Sequence, residues 1–161
     1  MRPAHVLAAS IFSLTLASPV AAQHGPPVDM TSLARGADRV VVATVTRVAP
    51  VFQTNEFGDE LIVSRTHLRV DAVLKPGPGA DDQPLVLELE GGTIGDLTLD
   101  VSDLPKLARG ERAVLFLRRN SRGATVPHGR GHGILKLDSS DRIQGTPLTL
   151  SAVRQAVGRA R

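Results

Sequence analysis

The sequence predicts an all-β protein, a small antiparallel barrel with a short helix at each end. Three observations carry that expectation. Residues 39–49 are dense in β-branched side chains, with Val40, Val41, Val42, Val45 and Val48 and the interleaved Thr44 and Thr46. Residues 61–74 alternate with a period of two: Val63, Arg65, His67, Arg69 and Asp71 share one parity. Ile62, Thr66, Leu68, Val70, Ala72 and Leu74 share the other, as a half-buried strand requires. Strand-like segments then follow one another across short breaks, with no βαβ rhythm and no internal repeat.

Before the first strand come two segments of different character. Residues 1–22 read as a signal peptide. Arg2 gives a positive start, an apolar run extends from Val6 to Ala17, and Pro19 breaks it before Val20-Ala21-Ala22. The run is shorter than the roughly 20 residues a membrane span needs. Cleavage after Ala22 sends a chain starting at Gln23 to the periplasm or the extracellular space. No Cys follows, which excludes lipid anchoring at that site. Residues 23–30 read as a flexible leader, and 31–158 as a single domain.

The elements of that domain follow in order. Residues 30–37 (MTSLARGA) suit a short helix capped by Thr31 or Ser32 and stopped by Gly36. Residues 39–49 form the first strand, the polar segment 52–60 a hairpin loop, and 61–74 the second strand. Residues 75–84, rich in Pro and Gly, form an exposed loop. Residues 85–90 (LVLELE) alternate as a third strand, Gly91-Gly92-Thr93-Ile94-Gly95 makes a tight turn, and 96–101 return from it. Ala113 to Leu117 (AVLFL) is a fully apolar strand. Arg118 to Gly131 is basic and glycine-rich, a loop or weak hairpin. Ile134 to Leu137, with Arg142 to Gln144, completes the strands. A final helix opens near Thr149, capped by Ser151, and runs to about Val157. About five principal strands in ~110 residues suit an OB-like barrel.

Composition excludes several chemistries. The chain has 161 residues, 42% of them apolar, enough for one core. It has no Cys, which excludes disulfide scaffolds, thiolate zinc sites and thiol nucleophiles. It has no Trp or Tyr and only 4 Phe, a poor basis for stacking sugars or single-stranded nucleic acid.

Four motifs carry a resemblance. They are Asp38-Arg-Val-Val-Val-Ala-Thr-Val45, Thr66-His-Leu-Arg-Val-Asp-Ala-Val-Leu-Lys75, Gly91-Gly-Thr-Ile-Gly95 and Gly110-Glu-Arg-Ala-Val-Leu-Phe-Leu117. Over residues 33–157 the chain resembles a group of uncharacterised exported bacterial domains. The resemblance implies an OB-like fold of the type found in netrin-like domains and tissue inhibitors of metalloproteinases, and it implies no activity. Those inhibitors present an N-terminal Cys to the protease zinc, a mechanism this Cys-free chain lacks.

The candidate chemistry is sparse. His128 and His132 stand four apart in Pro127-His-Gly-Arg-Gly-His-Gly133, a metal-ligand spacing only on a helix, which the glycines disfavour. An incidental pair in a flexible loop is the expectation. His24 would have to be the first mature residue to form a copper brace, and His67 lies within a strand. Glu88, Glu90, Asp96, Asp100 and Asp103 surround the glycine turn, where they read as the solvated outside of a sheet. No Gly-x-Ser-x-Gly or Ser-x-x-Lys motif is present, and the glycine run lacks a P-loop lysine. Gly91, Gly92 and Gly95 are expected to serve the backbone, or else to form a binding surface.

Basic residues gather late, with Arg109, Arg112, Arg118, Arg119, Arg122 and Arg130 ahead of Arg154, Arg159 and Arg161. Arg118, Arg119, Arg122 and Arg130 are candidate anion contacts. Export, a net charge of only +3 and the scarcity of aromatics weigh against nucleic acid. The expectation is an exported non-enzymatic module that binds or scaffolds an envelope macromolecule, without cofactor, metal or membrane span. Alternatives are a protease inhibitor or protease-associated module by fold analogy, and a binder of anionic envelope polymers through the Arg-rich third.

Overall fold

The computed structural model describes residues 29–55, 57–78 and 84–160. The signal-peptide and leader assignments, and His24 with them, lie outside the described residues up to residue 28.

The chain opens with α1 (Met30–Gly36). Its N-cap is Asp29, two residues before Thr31 and three before Ser32. The Asp29 carboxylate accepts from the Thr31 and Ser32 amides at 2.9 and 3.2 Å, and Ser32 Oγ donates to it at 2.6 Å. Those bonds, the Ser32 hydroxyl first, hold the Asp29 carboxyl below its ordinary range. Gly36 is the last helical residue rather than the stop, and the turn closes at Ala37, whose amide donates to Leu33 O.

Two long strands follow, β1 (Arg39–Thr54) and β2 (Glu60–Lys75), paired antiparallel. Both run past their expected ends, so the hairpin loop contracts to 55–59. Then come β3 (Leu85–Glu90), the short hairpin β4 (Gly92–Ile94) and β5 (Leu97–Leu99), β6 (Arg112–Arg119), β7 (Thr125–Pro127), a 3-10 turn (Arg130–Gly133), β8 (Ile134–Leu137) and α2 (Leu150–Arg159). Of the segment 118–131, expected as a loop or weak hairpin, the hairpin is what forms: β6 continues through Arg118 and Arg119 and pairs with β7. Residues 142–144 make only isolated bridges, Arg142 to Thr149 and Ile143 to Leu137. The cap of α2 is Thr149, whose hydroxyl accepts from the Ala152 amide at 3.3 Å; Ser151 lies inside the helix.

The main sheet has six antiparallel strands in the order β3-β2-β1-β6-β7, with β8 on the other half of the β6 edge. The all-β class with short flanking helices is what the sequence predicts, but the sheet does not close into a barrel. Its edges are β3 and β7. The physical reason is local: β7 is only 3 residues long and ends at Pro127, which has no amide proton for a further ladder. β3 stops at Glu90, where Gly91 turns the chain away.

Curvature brings the two edges together all the same. Register shifts between Val40 and Val41, Val42 and Ala43, and Val45 and Arg47 bend the β1–β2 hairpin. Its far end curls over until Thr54 O accepts from the Arg122 guanidinium at 3.4 Å.

Because β1 and β6 are central, both of their faces are buried. Val40, Val42, Val114 and Phe116 pack with Leu33 and Ala34 of α1 and Val153 and Val157 of α2. Val41, Ala43, Val45, Ala113, Leu115 and Leu117 face the concave side, with Leu68, Leu85, Leu87, Leu89, Leu107 and Ile134. Each such burial contributes on the order of 1.5–3 kcal/mol before ordering costs. No helix among the described residues is long and apolar enough to cross a membrane.

Candidate functional site

Where β3 and β7 approach without a backbone ladder, a groove of about 510 Å³ remains. We call it the seam. One wall is the curled hairpin tip, with Thr54, Asn55, Phe57 and Leu61; another is Glu88, Leu89 and Glu90 of β3; the third is the β6–β7 hairpin, with Arg118, Asn120, Arg122, Val126 and Pro127. Arg130 stands at one end.

The seam gathers three of the four candidate anion contacts, but they are not equivalent. Arg130 donates to both Asp103 oxygens, one of them at 3.1 Å, and to Glu90 at 3.3 Å. This pairing lowers the Asp103 carboxyl below its ordinary range, chiefly through the Arg130 bond, and raises the Arg130 guanidinium. Arg122 is held against neutral acceptors, Thr54 O at 3.4 Å and, with the Gln53 amide turned to present its oxygen, Gln53 at 2.8 Å. Arg118 is exposed, and no hydrogen bond or ion pair engages its guanidinium among the described residues. Arg119 lies outside the seam: its amide donates to Asp38 Oδ2 at 3.0 Å and its guanidinium to Gly123 O at 3.2 Å.

The acids near the glycine turn are similarly occupied. Glu88 meets Arg65 at 3.3 Å with its side chain only 16% exposed, so it is no freely solvated strand exterior. Asp100 meets Lys106 at 2.5 Å, while Asp96 occupies the β4–β5 turn. Pairing of these acids with basic side chains is a feature the sequence reading missed.

Nor does the structure unite the histidines. His67 is within β2, opposite Arg47 on one side and Val86 on the other. His132 is exposed in the 3-10 turn. His128 is half-buried, its amide donating to Phe116 O at 2.7 Å, and a Cβ on Gly36 would collide with its imidazole. Its segment is thus packed, not a flexible loop. Among the described residues, no three His, Asp or Glu side chains are grouped as a metal site.

Gly91, Gly92 and Gly95 have positive φ of 103°, 142° and 58°, a backbone that favours glycine. Gly91 and Gly92 form the bend out of β3, while Gly95 is the first of two residues joining β4 to β5, where tight hairpins favour glycine. Gly91 N donates to Ile62 O at 2.8 Å, and Ser64 Oγ donates to Gly91 O at 2.7 Å. Both Gly91 and Gly92 also line a second cavity, of about 200 Å³. Thr66 lies at its base, wholly buried, with no hydrogen-bond partner for its hydroxyl among the described residues.

The hairpin tip supplies what the sequence reading overlooked. Phe57 is 81% exposed and Phe52 46%. Asn55 braces the tip: its side-chain oxygen accepts from the Phe57 and Asp59 amides, both at 2.9 Å, and its nitrogen donates to Asp59 at 3.0 Å. The available signal was economy, because a chain with 4 Phe places two on one hairpin.

No protein-family model matches the chain, and no curated protein matches it.

Proposed function

We propose that the chain is an exported, non-enzymatic binding or scaffolding module of the bacterial envelope, and that its partner is a protein held at the seam. The observation that carries this reading is the seam itself. It combines the apolar lining residues Leu61, Leu89, Leu104 and Val126 with polar ones and a braced, exposed Phe57. That mixture is the anatomy of a protein interface. The exported assignment rests on the layout of residues 1–22, and the resemblance over 33–157 to exported domains supports it.

The dispersal of the histidines and the pairing of the acids favour binding over catalysis, since general acid–base chemistry needs convergent titratable groups. The seam arginines favour a protein over an anionic polymer. Arg130 is neutralised by Glu90 and Asp103, and Arg122 is turned toward Thr54 and Gln53.

Capture from the host's own envelope extract tests the reading. A protein retained at about 0.5 M salt, where surface charge is strongly screened, and lost with Arg118→Glu but kept by Arg109→Glu is expected. Retention of polysaccharide or lipopolysaccharide alone, released by the same salt, replaces it with the anionic-polymer reading.

A further inference from the structure

We propose that the seam is self-complementary, so that the braced Phe57 tip of one copy seats in the seam of a second copy and each copy donates and accepts one tip. The inference rests on the reading of the seam as a docking surface and names one occupant for it.

Four observations carry it. The first is the ring itself. Exposure of 81% leaves Phe57 the most exposed of the large apolar side chains among the described residues, while Asn55 already fixes the backbone that presents it. A preorganised aromatic loses little freedom on docking, and buried aromatics dominate interface energetics.

The second is size. A dry cavity of about 150 Å³ accommodates benzene, and the seam offers about 510 Å³ over Leu61, Leu89 and Val126.

Charge is the third. Beyond the ring the tip carries the exposed carboxylates Asp59 and Glu60. In the seam, Glu88 and Glu90 are neutralised by Arg65 and Arg130 and Arg122 is engaged by Thr54 and Gln53, which leaves the exposed Arg118 as the seam cation without a side-chain partner among the described residues. Acidic tip and basic wall are complementary. The same carboxylates repel the anionic headgroups of a lipid surface, which argues against the ring as a membrane anchor.

The fourth is adjacency. Phe57 lines the rim of the seam that it would fill in a second copy. Tip and groove therefore lie on one face, as a two-fold contact demands, with each surface meeting its counterpart twice.

Sedimentation equilibrium of the intact purified protein, from about 1 µM to 1 mM, decides the matter. A reversible dimer is expected, weakened about 30-fold by Phe57→Ala, the loss of a hot-spot side chain. Arg118→Glu should weaken it too, and adding Glu60→Arg, which leaves the Asn55–Asp59 brace intact, to Arg118→Glu should restore it. Circular dichroism of each variant should match the parent, because both side chains are exposed.

A protein monomeric throughout that range overturns the proposal, as does a dimer indifferent to Phe57→Ala and Arg118→Glu. So does a monomer whose Phe57 is needed to co-sediment with phosphatidylglycerol vesicles. A monomer that still captures an envelope protein in an Arg118-dependent manner overturns the self-association and leaves the seam reading standing. Loss of that capture while a seam-dependent dimer persists removes the envelope partner and upholds the dimer.

Discussion

Lys75, the last residue of β2, donates to Ala34 O at 3.0 Å and also to Ala37 O, carbonyls at the end of α1. A cation thus sits where the helix leaves its carbonyls unpaired and its dipole is negative. The bond ties the convex face of the sheet to the helix that covers it. Lys75→Met keeps most of the stem and removes the charge. We expect a loss of about 1.5–3 kcal/mol, the range for hydrogen bonds to charged groups, read from urea midpoints. Amides of residues 33–37 should exchange faster in the variant. An unchanged midpoint would show that the helix is held by Leu33 and Ala34 alone.

The glycine turn predicts a contrast between neighbours. A Cβ on Gly92 would stand 2.7 Å from Ser64 Oγ and 3.1 Å from Ile62 Cγ2, whereas one on Gly95 meets nothing within 4 Å. Gly92 also sits at φ 142°, outside the regions side chains adopt readily. Gly92→Val should therefore destabilise by about 1–3 kcal/mol through clash and strain together. Gly95→Asn should be tolerated, because asparagine enters the left-handed region at small cost. Thermal unfolding of the two variants side by side checks this. Equal melting would mean that neither the clash nor the strain is real.

What could be read from the sequence was governed by local pattern. The unbroken Ala113-Val-Leu-Phe-Leu117 predicts a strand with no wet face, and it lies between β1 and the β7–β8 edge with Phe116 wholly buried. In β2, Leu68 is buried while Arg65 and Arg69 are exposed, as the alternation requires. Val63 breaks that parity and is only 5% exposed. Gly91 bridges to its backbone from the end of β3, a contact between residues distant in sequence. The seam was illegible for the same reason. Nothing local to Thr54 announces Arg122; their meeting depends on the summed bends of β1, and bulges leave little trace in composition. Asp29 as a cap is hidden in the sequence because Thr31 and Ser32, two and three residues on, are equally suitable cap residues.

Thr66 offers a test with the opposite sign. Its hydroxyl is buried without a partner among the described residues, while its methyl shares the concave side with Leu68 and Leu87. An unpaired buried polar group costs about 1–3 kcal/mol by mutational measures. Val has nearly the same shape and no hydroxyl. Thr66→Val should leave the fold intact and raise stability by about 1 kcal/mol. A destabilised Thr66→Val would show that the hydroxyl has a partner in solution, with water in the cavity beneath Gly91 as the first suspect.

The clamp between Arg130 and Asp103 predicts the acid end of the stability curve. Asp103 belongs to the loop after β5, and Arg130 begins the turn after β7, so the pair ties the two connections flanking the seam. Gly131 allows the approach, since a Cβ there would collide with Asp103 O. Arg130 adopts a left-handed backbone, φ 53°, which an ordinary side chain occupies at some cost and which the clamp holds in place. The Asp103 carboxyl titrates below its unfolded value of about 3.8 because Arg130 donates to it. Its protons are thus bound more tightly in the unfolded chain, and the linked stability is present above that value. It is lost as pH falls through the lowered folded value. Arg130→Gln removes the guanidinium, returns Asp103 toward its ordinary range and should flatten this part of the profile below about pH 4. Both partners are about half exposed, so the same difference should shrink in high salt. Urea midpoints of parent and variant between pH 2.5 and 7 measure it, and parallel curves across that window would mean the clamp contributes nothing to folding.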